Sequence, residues 1–280
     1  MGMRLFHGLP RLVLALAMLE SAVQILRAQE DASQAVERLQ AQAAASPERL
    51  DLVMALGNSA VQAGQFDTAI ASFQKVLETV KPDSREAGDL YLRMGEAYRR
   101  KGDTESAIAS LTFASQLLPD QAVVMGTLAL VLDAGGKKAE AEQAYRATLQ
   151  LDPEDATATN NLAFLMAERG EDLDQALVLA QRAMELAPDD ADTIDTAGWV
   201  QLKRKQTDIA IGLFARAVGK EPGNDEYRQH LLQAVEAKGS QSATVDELKS
   251  LLAGDLGPEN LGRIAELLKI SPPEANQNHK

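Results

Sequence analysis

The sequence contains no cysteine and only three histidines, His7, His230 and His279. Without thiols there can be no disulfide, thiolate metal site or cysteine nucleophile, although the lack does not choose a redox compartment. The histidines are too scattered to place two ligands on one helical turn, so no His-based metal site is expected. Aromatic residues make up 4% of the chain, with a single tryptophan. Positive charge is also in deficit: 28 Lys and Arg stand against 41 Asp and Glu, for a formal net charge of −13. Phosphate contacts depend on clustered Lys and Arg, and here these are dispersed, which disfavours a nucleic-acid partner. The apolar run near the N-terminus, Leu12 to Leu19, falls short of the roughly 20 residues that a transmembrane helix needs.

What remains is rich in Ala and Leu. Hydrophobic residues form 45% of the 280, enough for a buried core, and the scarcity of strand-forming residues points to an all-α chain. The first 28 residues read as a cleaved export signal. Arg4, His7 and Arg11 give a positive start, Leu12 to Leu19 the apolar run, and Ala28 a small residue before the polar stretch. Against this stand Glu20, Gln24 and Arg27 inside the segment, and Leu26 at a place that prefers a small residue. Two alternatives stay open, an interfacial anchor and a first structural helix with Leu19, Ala22, Val23 and Leu26 on one face. Export to the periplasm or the exterior is the expectation, a cytoplasmic protein the alternative.

Beyond Gln29 the chain is periodic. Pro119, Pro153, Pro188 and Pro222 follow one another at 34, 35 and 34 residues, while Pro82 precedes Pro119 by 37. A small insertion is therefore expected in the loop between Pro82 and Leu90, and one extra residue near Asp172–Leu173. The stretch Leu90 to Pro119 is the cleanest copy. Tyr91, Met94, Gly95 and Tyr98 have the spacing i, i+3, i+4, i+7 of one helical face, and Ala107, Leu111 and Ala114 form a second stripe. The other units give Val53, Leu56, Gly57, Ala60 with Ala69, Phe73; Met125, Leu128, Ala129, Leu132 with Ala141, Tyr145; Thr159, Leu162, Ala163, Met166 with Ala176, Ala180; and Ile194, Ala197, Gly198, Gln201 with Ala210, Phe214.

This pattern resembles the tetratricopeptide repeat family, whose signature is W-x2-L-G-x2-Y, then A-x3-F, then P. The resemblance implies an all-α, right-handed solenoid of antiparallel helix pairs. On this reading residues 29–48 are a lead-in half repeat, 49–222 five repeats, 223–254 a degraded repeat acting as a C-terminal cap, and 255–280 a short helix and a disordered tail. Gly95 and Ala107 are small because paired helices must approach closely. Gly64, Gly102, Gly136 and Gly170 supply the positive φ of the turns, and Lys205 stands where the fifth turn lacks glycine. One hairpin cannot bury its own apolar face, so stacking stabilises the array.

Little here carries chemistry. The acidic residues after Pro119, Pro153, Pro188 and Pro222 recur before each first helix, where Asp or Asn caps free N–H groups. Gly135-Gly136-Lys137-Lys138 lacks the GxxxxGK[ST] pattern and falls on a repeat turn. The serines have no histidine base in the repeat body. The chain is accordingly expected to be non-enzymatic, with no metal, cofactor or small-molecule substrate.

In this family the first helices line the inner groove. The resemblance implies ligand contact from Met54 and Asn58, from Leu92, Glu96 and Arg99, from Leu130 and Asp133, from Asn160 and Phe164, and from Asp195, Trp199 and Lys203. Leu92, Leu130, Phe164, Trp199 and Leu202 would form a semi-exposed apolar track, with Trp199 either an exposed anchor or packed on the next repeat. Relatives that clamp a peptide carboxylate use Lys, Asn and Arg; the matching places hold Met54, Asn58, Arg93, Val123 and Thr127, and only Asn58 agrees. A protein or peptide segment, basic or apolar, is the expected partner. The second reading is a self-associating solenoid subunit.

Overall fold

The computed structural model describes residues 30–254 and 256–270. The export-signal segment 1–28 and the tail 271–280 therefore lie outside the described residues. The described chain is helical throughout, without strands, and divides into two compact units, Met1–Lys137 and Lys138–Lys280.

In the first unit α1 is described over residues 30–45. It is followed by α2 (Leu50–Gln62), α3 (Phe66–Leu77), α4 (Arg85–Lys101), α5 (Thr104–Leu117) and α6 (Ala122–Ala134). Its core joins Val36 of α1 to Val53, Leu56 and Ala60 of α2, Ala69, Ile70 and Phe73 of α3, and Leu90 and Met94 of α4. Of these, Val53, Leu56, Ala60, Ala69, Phe73 and Met94 are residues that the periodicity puts on facing stripes, whereas Ile70 and Leu90 lie outside them and Val36 is a buried residue of α1. The close approach is sharper than a meeting of small residues. A Cβ added to Gly57 would lie 2.6 Å from Phe73, and one added to Gly95 would lie 2.6 Å from Leu111. Gly95 thus makes room for Leu111 rather than for Ala107.

The insertion before Leu90 is not confined to a loop. Helix α4 has 17 residues where α2 and α6 have 13. The added residues enter its first turn, which Ser84 caps by accepting from Ala87 N at 3.1 Å. A buried Gly88 admits Leu118 against this turn. Asp120, expected to cap α6, instead takes Arg85 Nη1 at 3.0 Å, and the N-cap Gln121 makes no side-chain bond. The added turn supplies the arginine that recruits the aspartate.

The second unit comprises α7 (Lys138–Leu151), α8 (Ala156–Arg169), α9 (Leu173–Leu186), α10 (Ala191–Lys203), α11 (Thr207–Lys220), α12 (Asp225–Ala237), α13 (Ser242–Leu252) and α14 (Pro258–Leu268). Asp155, Asp190 and Asn224 cap α8, α10 and α12 as their spacing predicts. Gly198 repeats the close approach, its added Cβ falling 2.8 Å from Phe214. The extra residue of the 35-residue spacing appears as Asp172, which takes φ 45° and caps α9 through Gln175 N. Lys205 takes the left-handed φ of 63° that glycine holds in the other turns, at a backbone cost of about 1 kcal/mol. On α14 the buried face is Leu261, Ile264 and Ala265, with Leu267 and Leu268 only half-buried.

Gly95→Leu should lower unfolding stability by about 1–3 kcal/mol through overpacking. Adding Leu111→Ala should recover part of that loss, since the two positions share one contact. Denaturant titration followed by far-UV circular dichroism reads both effects. A single variant with the wild-type midpoint would refute the helix register.

Candidate functional site

In the first unit α2, α4 and α6 leave an open pocket of about 430 Å³. Its lining includes Asn58 and Val61 of α2, Asp89, Leu92, Arg93 and Glu96 of α4, and Val123 and Thr127 of α6. The α4 members recur three or four residues apart, which brings them to one face. That face is opposite in purpose to the Met94–Gly95 stripe buried against neighbouring helices. Arg93 Nη1 donates to Asn58 Oδ1 at 3.0 Å, tying α4 to α2 across 35 residues of sequence. Arg99 grips both carboxylate oxygens of Glu96, at 2.7 and 2.8 Å.

Of the residues expected here, Asn58, Leu92 and Glu96 line the pocket. Met54 is half-buried and packs against the core around Val53 and Phe73. Arg99 serves Glu96 from outside the lining. Leu130 is 40% exposed and Asp133 half-buried, and neither lines the pocket. Arg93 and Thr127 also line the pocket, at places where the sequence shows only a departure from a carboxylate clamp. The signal for Arg93 was available, because it lies one turn beyond Asp89 and three residues before Glu96.

The second unit treats the equivalent face differently. Trp199 is only 8% exposed, Asn160 8% and Asp195 5%, so Trp199 is packed and is not an exposed anchor, while Phe164 and Leu202 of the expected track are half-buried. Trp199 instead stacks on Phe164 at 6.1 Å between centroids and meets His230 at 4.7 Å. Its Nε1 donates to Glu168 Oε1 at 3.0 Å, and Lys203 Nζ lies 4.7 Å from the ring centroid. One large ring with a polar edge fills the space between three successive first helices. Phe164 is half-buried beside it.

Beneath the ring, His230 Nδ1 and Asp195 Oδ2 are 2.7 Å apart. Asn160, Asp195 and His230 recur at 35-residue steps, so the repeat brings them to one register on α8, α10 and α12. That spacing is the sequence signal for His230, which the groove assignment does not include. Burial pulls the His230 pKa down, but the Asp195 hydrogen bond and charge, joined by Glu226 and Glu168, raise it above its ordinary value. Burial pushes the Asp195 carboxyl up, against the pull of His230. Tyr227 of α12 donates to Asp192 of α10 alongside. The arrangement is that of a packed polar seam, and among the described residues no group of acidic or histidine side chains could hold a metal ion.

Comparison with known proteins agrees on the fold. Residues 11–248 match the family described as Cilia and flagella-associated protein 70 C-terminal domain. A tetratricopeptide repeat protein from Parabacteroides merdae superposes with a TM-score of 0.65 at 15% identity, over 79% of this chain and 85% of that one. YrrB, described as a TPR protein with an unusual peptide-binding site, gives a TM-score of 0.58 at 20% identity, over 74% of this chain and 100% of its own. MamA gives 0.56 at 24% identity, over 65% and 96%. At these identities the likeness is one of fold. No curated protein matches the chain.

The His230 pair generates a signed prediction. A histidine whose folded pKa is raised contributes stability that is fully present below its unfolded value, about 6.5. That stability is lost as pH rises through the folded value. The second unit should therefore unfold more easily at pH 8 than at pH 6, and His230→Gln should flatten that dependence. Emission from Trp199, the only tryptophan in the chain, reports it directly. A wild-type midpoint that rises over this range would contradict the assignment.

Proposed function

The chain belongs to the tetratricopeptide repeat family, through the family described as Cilia and flagella-associated protein 70 C-terminal domain, and we propose that it is a non-enzymatic scaffold that binds a segment of another protein. The carrying observation is the pocket of the first unit. Its lining combines apolar Leu92, Val61 and the exposed Val123 with hydrogen-bonding groups, the usual composition of a site that seats a side chain and orients its backbone. The peptide-binding site in YrrB's description supports the same class of ligand here. The buried Trp199 face of the second unit serves packing on this reading, which leaves the first unit as the contact surface.

Leu92→Asp puts a charge in the pocket lining outside the Met94–Gly95 stripe, at a half-buried position that also packs against Ala114, Leu118 and Val124, so its unfolding midpoint is read beside its binding. In a cross-linking pull-down from the native host, this variant should lose at least one partner that the wild type captures, at unchanged helical content. An identical set of partners would overturn the assignment.

We propose further that the chain works outside the cytoplasm, on the strength of the positive start, apolar run and Ala28 of the N-terminal segment. N-terminal sequencing of protein from the native host should find a start near Gln29. A start at Met1 or Gly2 would sink the proposal.

A further inference from the structure

Resting on the pocket of the first unit as the binding site, we infer that it selects a segment carrying a Lys or Arg beside an apolar side chain, and that Asp89 takes the cation. Three formally charged side chains line the pocket: Asp89, Arg93 and Glu96. Two of them are already engaged. Arg93 is turned to Asn58 by the 3.0 Å bond, and Glu96 is held through both oxygens by Arg99. Asp89 is exposed and makes no hydrogen bond or ion pair among the described residues.

The consequence is a sign preference. A ligand carboxylate would enter beside two protein carboxylates and would have to share the one guanidinium with Asn58. A ligand cation would meet Asp89 without displacing any existing pair. Arg93 opposes that cation from one turn away, so the two residues act on it with opposite sign. The net charge of −13 adds a longer-range attraction for a basic segment, screened by salt. An exposed ion pair is worth little by itself. The adjacent apolar side chain on Leu92, Val61 and Val123 therefore supplies most of the affinity, and the charge supplies the choice.

The test pans a library of random displayed peptides against the immobilised full chain. An enriched peptide is then made with both ends capped and a fluorophore attached, and its affinity is read by fluorescence polarisation. Enriched sequences should pair Lys or Arg with Leu, Ile or Val. Asp89→Asn should weaken binding by about two- to fivefold, the factor typical of an exposed pair, and Arg93→Gln should strengthen it by a similar factor. Both effects should shrink at about 0.5 M salt, where the screening length is only a few ångströms. Enrichment of acidic peptides, or the opposite signs for the two variants, would overturn the inference and make Arg93 the recognising group. Leu92→Asp separates the two levels. Binding that is lost on Leu92→Asp yet indifferent to Asp89→Asn and Arg93→Gln refutes the charge selection alone. Binding indifferent to Leu92→Asp, or no enrichment at all, refutes the pocket and the selection together.

Discussion

Everything in this chain depends on how closely two helices of a hairpin can approach. At Gly57, Gly95 and Gly198 the first helix gives up its Cβ so that Phe73, Leu111 and Phe214 of the second can lie against its backbone. The large side chain is then buried by the helix it touches and by the next hairpin, which turns a weak pair into a stackable unit. Removing the space would force the axes apart, and the cost would pass to each neighbour. The left-handed turn residues and the prolines past each second helix serve that constraint, since they return the chain at the register the contact needs.

Because the contact uses one face of each first helix, it leaves another face uncommitted. The two units spend it differently. In the first, Asn58, Asp89, Leu92, Arg93 and Glu96 line an open pocket without any ring to fill it from α4. In the second, the rings of Phe164 and Trp199 share one register and His230 closes on Trp199 from the adjacent one, where it also pairs with Asp195. A buried carboxylate is tolerated there because it has a hydrogen-bonded partner at 2.7 Å. The same repeat thus yields a surface in one place and a seam in another.

The fold is largely legible in the sequence, for a definite reason. Helix period, turn chemistry and helix stops are local, and each recurs five times, so one ambiguous copy is corrected by the others. Ser84 and Asp120 show where that reasoning ends. The added turn of α4 needed its own cap, and it brought Arg85 within reach of an aspartate that otherwise matched the capping pattern. An insertion is visible as a count, but whether it becomes loop or helix depends on what the extra turn can pack against, here Leu118 on Gly88.

The candidate site was legible as a set of places and not as a set of states. Spacing alone brought Asn58, Leu92 and Glu96 to the uncommitted face, because a 3.6-residue period maps sequence onto a helix surface, but it also put Met54 there, which packs against the core. It also determined that no thiol chemistry is available and that the chain is acidic. Only the tertiary structure decided that Leu92 remains accessible while Trp199 does not. Exposure is set by the size of the side chains arriving from neighbouring helices, and these come from positions about 35 residues away. His230 reaches Trp199 and Asp195 across one such step, as Arg93 reaches Asn58 across another, and no local pattern in the chain announces either meeting.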